Sequence, residues 1–147
     1  MTFTGTFHEN MYVLGLSPPA DTDASTFPAA GYYVDVSDFN RFMFMVYLGS
    51  MASSGDFRVW SATTATGALI ALSGAEKTDQ TLSTDNNKWF TIEVETARLP
   101  SSHHLVALKV TSETGTNLWS AMFFGWECRH GSPTQSTGYD SHTVIAG

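Results

Sequence analysis

Long stretches of this chain alternate apolar and polar side chains with a period of two, and no other feature of the sequence restricts its fold as strongly. Successive side chains of a strand point to opposite faces, so such alternation marks strands with one buried and one wet face. In KWFTIEVET (88–96), Phe90, Ile92 and Val94 point one way while Thr91, Glu93 and Glu95 point the other. HLVALKVTSE (104–113) repeats the pattern, with Val106, Leu108 and Val110 set against Lys109 and Thr111. Residues 31–36, 56–62, 67–72 and 117–128 read as further strands, and 11–16 as a less regular first one. Between them lie pieces rich in turn formers, among them SPPADTDASTFPAAG, GSMASSGD, SGAEKTDQTLSTDNNK, RLPSS and TSETGTN. No segment carries an i, i+3, i+4, i+7 stripe and no internal repeat occurs. The pattern predicts an all-β domain: an antiparallel two-sheet β-sandwich or jelly roll of about seven or eight strands.

One strand breaks the rule. In RFMFMVYLGS (41–50), Phe42, Phe44, Val46 and Leu48 form one face, and Arg41, Met43, Met45 and Tyr47 form the other. Both faces are largely apolar, where a strand wet on one side would show polar residues. In a single subunit the second sheet or the N-terminal segment would cover the methionines and the tyrosine; in an assembly a sister subunit would share that task. The expectation is internal burial for most of this face, with subunit contacts elsewhere.

The 147 residues suit one domain large enough to bury a core. We expect an N-terminal acidic arm or first strand over 1–30, the sandwich over 31–128 and an extended tail over 129–147. Residues 1–40 hold five acids and no Lys or Arg, within a net charge of −7. The seven bases of the whole chain are scattered singly, which argues against nucleic acid as a partner, because displacing counterions takes clustered cations. Only 14% of residues are charged against 42% hydrophobic. A surface so poor in charge suits protein contact, since few ions must be desolvated. No basic-then-apolar leader and no run of about 18 apolar residues is present, so neither a secretion signal nor a membrane span is read. Cys128 is alone and has no partner for an internal disulfide.

Chemistry finds little to attach to. There is no G-x-S-x-G elbow, and no serine stands in a nucleophile's context. His103 and His104 are adjacent after a turn and poorly placed to share one ion. Glu93 and Glu95, about 7 Å apart on one face of a strand, have a glycosidase-like spacing but fall on the solvent side. Asp21 with Asp23, and Asp85-Asn86-Asn87, lack the ligand number of a calcium loop. Neither a catalytic residue, a metal ligand nor a cofactor is assigned, and the chain is not expected to be an enzyme. The tryptophans are more informative. Trp89 shares a face with Glu93 and Trp60 with Arg58, so both are candidates for contact with a protein or a sugar. The candidate interface comprises Met43, Met45, Tyr47, Trp60 and Trp89, with Tyr139, Val144 and Ile145 of the tail.

Residues 39–99, followed by a strand and by GWECRHGSPTQ (125–135), resemble the decoration, or cement, proteins of tailed-bacteriophage capsids. The resemblance is carried by a strand ending in Leu48-Gly49, by WSATTATGA at Trp60 to Ala68, and by SGA at Ser73 to Ala75. Asp85-Asn86 before a strand, IEVET at Ile92 to Thr96 with Leu99 following, and Arg129 with Pro133 complete it. It spans about residues 34–135 and implies a β-sandwich, made in the host cytoplasm, that binds the outer surface of an assembled virion shell. Its partner would be the major capsid protein, and it would be a homo-oligomer, in that family commonly a trimer. A phage tail or fibre component, or a carbohydrate-binding β-sandwich module, is the alternative.

Overall fold

The structure, a computed structural model, describes residues 11–21, 25–51, 54–80, 85–112 and 117–129. Nine strands run in chain order: β1 (Met11–Asp21), β2 (Ser25–Phe27), β3 (Val34–Asp35), β4 (Phe39–Met51), β5 (Gly55–Ala62), β6 (Ile70–Gln80), β7 (Lys88–Glu95), β8 (Leu105–Ser112) and β9 (Asn117–Cys128). They form two antiparallel sheets, of order β1-β9-β4-β7 and β2-β8-β5-β6, with β3 also paired to β8. The fold is the expected β-sandwich.

Phenylalanines dominate the contact between the sheets. Phe42, Phe44, Val46 and Leu48 of β4 are fully buried against Phe57, Val59, Val106, Leu108 and Val110 of the five-stranded sheet. Phe44 and Phe123, side by side on β4 and β9, stack with centroids 4.3 Å apart and planes 8° apart. Phe57 meets Phe90 and Trp119 edge-on. Gly125 lies under the ring of Phe39, where a Cβ would stand 2.7 Å from the nearest ring carbon.

Several strands depart from the sequence expectation. Strand β1 continues through Pro18-Pro19, which an edge strand tolerates because its outer groups need no ladder partner, and its register shifts there between Ser17 and Ala20. Met11–Asp21 belongs to the four-stranded sheet, paired along β9. Residues 25–27, read as turn, form β2, and of the six residues 31–36 only Val34–Asp35 is strand. Strand β6 begins at Ile70 and includes the first half of a segment read as loop. Arg58 pairs with Glu76 and Trp60 with Ala71, so two residues' advance on β5 is matched by five on β6. The surplus forms a bulge at 72–75 that contains Gly74 at φ +78°.

Candidate functional site

The outward face of the four-stranded sheet answers the question raised by β4. Its second sheet packs on the phenylalanine face, so the Met43, Met45 and Tyr47 face points away from the core. The expected internal burial by the second sheet is therefore corrected: Met43 and Met45 are half-buried and Tyr47 is 46% exposed. When both faces of a strand are apolar, the better fit of the aromatic rings across the sandwich decides which one turns inward.

Register places the neighbours. Tyr47 stands across from Trp89 of β7 and Ser120 of β9, Met45 across from Thr91 and Met122, and Met43 across from Glu93 and Phe124. On the far side of β9, Leu16 of β1 pairs with Met122, and Val13 with Phe124. Val13 and Phe124 are themselves buried, and the apolar surface left open is formed by the other residues of the four strands. Trp89 is 65% exposed, and Leu16, Leu118 and Met122 are exposed as well. A shallow groove of about 300 Å³, lined by Met45, Tyr47, Trp89, Ser120, Ala121 and Met122, lies within it. Monomeric soluble proteins seldom leave so many large apolar side chains together in water.

Charged groups gather at one corner, and the amides of a turn at the opposite end. Arg41 holds Glu93 (Nη1 to Oε1, 3.1 Å) and Glu95 (Nη2 to Oε1, 3.0 Å), with Glu127 at 3.8 Å from Nε. These carboxylates are exposed and already paired with one cation, which is a poor setting for an acid and nucleophile pair. An open cleft of about 450 Å³ beside them is lined by Arg41, Arg98, Glu93, Glu95 and the β6 bulge. At the opposite end the Tyr47 hydroxyl donates to Asn87 Oδ1 (3.3 Å), and Asn86 Oδ1 accepts from the Met51 backbone N–H (2.8 Å). The Asp85-Asn86-Asn87 turn thus ties the start of β7 to the end of β4.

The structure brings Met43, Met45, Tyr47 and Trp89 together on this face. Trp60 lies on the other sheet, its ring covered by the Lys109 ammonium 4.8 Å from the centroid. Asp23, Tyr139, Val144 and Ile145 lie outside the described residues, as does the side chain of Asp21. Leu16, Leu118 and Met122 were missed from sequence, although a signal exists. In NLWSAMFFGW (117–126) the outward set Leu118, Ser120, Met122, Phe124, Trp126 is nearly as apolar as the inward one. Strands β4 and β9 are neighbours with the same double-sided composition.

Elsewhere, Ser61 Oγ and His103 Nδ1 are 2.9 Å apart, but Ser61 is fully buried and its hydroxyl cannot meet a substrate. The His104 Nδ1 lies 3.2 Å from the Ser102 carbonyl. Cys128 is half-buried at the end of β9, and burial pushes its thiol above the ordinary range, opposed by a hydrogen bond with Tyr12. Among the described residues no group of three or more His, Cys, Asp or Glu side chains could hold a metal ion, and no helix is long and apolar enough to cross a membrane. No protein-family model, no curated protein and no solved structure matches this chain.

Proposed function

We propose that this chain is a structural virion protein that binds the outside of a tailed-phage capsid and stabilises the shell by bridging major capsid protein subunits. The observation that carries the structural part is the apolar outer face of the four-stranded sheet, where Leu16, Tyr47, Trp89, Leu118 and Met122 remain exposed. That face suits a protein surface, because its centre is apolar and uncharged and its ions sit at one end. The virion setting is supported by the residue resemblance over about 34–135. The mechanism is linkage: a protein that binds assembled shell and not free subunits favours the shell by mass action, and repetition over many sites multiplies a modest free energy per site. No bond-breaking chemistry is asked of it.

The test is co-sedimentation of the purified protein with empty shells and, separately, with unassembled subunits of the major capsid protein encoded beside it. Saturable binding to shells, with a raised shell melting temperature, is expected; equal binding to free subunits, or none to shells, refutes the reading. The groove beside Trp89 favours one second reading, a carbohydrate-binding module, because exposed Trp and Tyr side chains offer stacking surfaces for sugar rings. Glycan-array binding lost in Trp89→Ala, with shells ignored, would select it.

A further inference from the structure

Building on the reading of this outer face as a protein-contact surface, we infer that two copies of the chain associate through it, stacked across a twofold axis that lies in the interface at right angles to the strands. Size is the first reason. Four strands about 4.8 Å apart, over some eight residues of length, give a patch of roughly 20 by 30 Å, or about 600 Å² in projection. The relief of Trp89, Tyr47, Leu16 and Met122 adds to that, and a stable pair takes about 800 Å² of accessible surface from each partner. With that relief the patch approaches the size a stable pair takes.

Self-complementarity is the second reason. A twofold pair matches a patch to its own copy, so each residue must tolerate what the rotation lays on it. With the axis through the row of Thr91, Met45, Met122 and Leu16, these four meet their own counterparts, which are apolar or neutral and, for the methionines, adaptable in shape. One step out, Met43 meets the second copy's Tyr47, and Glu93, held by Arg41 of its own chain, meets the second copy's Trp89. At the ends, the bulky Arg41 lies over the second copy's Gly49, and Glu95 over its Asn87 amide. Arg41 faces a small residue, and Glu95 stays far from its symmetry mate, at a rim that water reaches. Packed sheets cross at about 30°, so the correspondence is tightest near the axis. Such a pair turns its two five-stranded sheets outward and carries two copies of every remaining surface, which is what bridging two shell subunits requires.

Sedimentation equilibrium of the full chain, from about 1 to about 100 µM where interfaces of this size associate, tests the pairing. A dimer is expected. Thr91→Glu and Thr91→Lys, both at an exposed position on the axis, should each weaken it at least about tenfold, and mixing the two variants should restore pairing, since opposite charges then meet. Thr111→Glu on the five-stranded sheet should leave it unchanged, and circular dichroism should show every variant folded. A monomer throughout, a trimer, or a dimer indifferent to both Thr91 variants overturns the inference. Shell binding by such a monomer or trimer would leave the proposed function standing, whereas a dimer that ignores shells would sustain the pairing and sink that function.

Discussion

Tyr47 and Trp89 stand directly across from each other on β4 and β7, both exposed, at the open end of an otherwise apolar sheet face. Cross-strand aromatic neighbours are common inside proteins; here the pair is turned to water. Neither side chain is needed to hold the sandwich together, because the core closes on the opposite face of the same strands.

Trp89 and Trp119 should therefore behave as opposites in fluorescence. Trp89 is 65% exposed and Trp119 3%. Acrylamide should reach the first and spare the second, so Trp89→Phe should lower the quenchable fraction of emission and Trp119→Phe the protected fraction. Because pairing would cover Trp89, its quenching should also rise on dilution of the native protein.

The stacked rings of Phe44 and Phe123 should be the costliest place to cut. Both are fully buried and join β4 to β9 at the centre of the core. Phe44→Ala removes one ring of the stack and leaves a cavity, a loss of about 3–5 kcal/mol, read as a shifted urea midpoint. Met45→Ala, one residue along but facing outward, should cost well under half as much. Equal losses would mean that the two faces of β4 have been assigned the wrong way round.

Much of this was legible in the sequence, and the misses share a cause. The bounds of β9 and β7 follow from alternation because both keep their pairing with β4 without interruption after the first residues of β9. Strand β6 was obscured because SGAEKTDQ carries turn residues for a bulge at Gly74 and still pairs on either side of it. Strand β2 is three residues long and its signal is drowned by the prolines around it. The outer face was only half legible. Period two tells which side chains of β4 share a face, but when Phe42, Phe44 and Val46 oppose Met43, Met45 and Tyr47 it cannot say which set meets the second sheet. That depends on partners distant in sequence, Phe57, Phe90 and Phe123.

Gly125 should resist substitution because of what lies on it. An added Cβ would stand 2.7 to 2.8 Å from three ring atoms of Phe39, closer than carbon atoms pack, so ring or strand must move. Gly125→Ala is expected to cost about 1–3 kcal/mol in thermal or urea unfolding. In a Phe39→Leu background the same change should cost distinctly less, because the obstructing ring is gone, and this coupling is the test. Strictly additive losses would locate the strain elsewhere.

The Cys128 thiol gives the fold a pH dependence of known sign. Burial raises its pKa in the folded chain, and the Tyr12 hydrogen bond lowers it in part. The folded state thus holds its proton more tightly than the unfolded chain, whose thiol ionises near about 8.5. The stabilisation is fully present below that pH and is lost as pH rises through the higher folded value, since the unfolded state releases its proton first. Urea midpoints measured from about pH 7 to about pH 10 should decline less steeply in Cys128→Ala than in the native chain. Alkylation by iodoacetamide, which needs the thiolate, should run slower than in a denatured control at the same pH, and slower still in Tyr12→Phe, where the hydrogen bond that favours the anion is removed. Faster alkylation in Tyr12→Phe would show that the hydroxyl shields the sulfur more than it stabilises its charge.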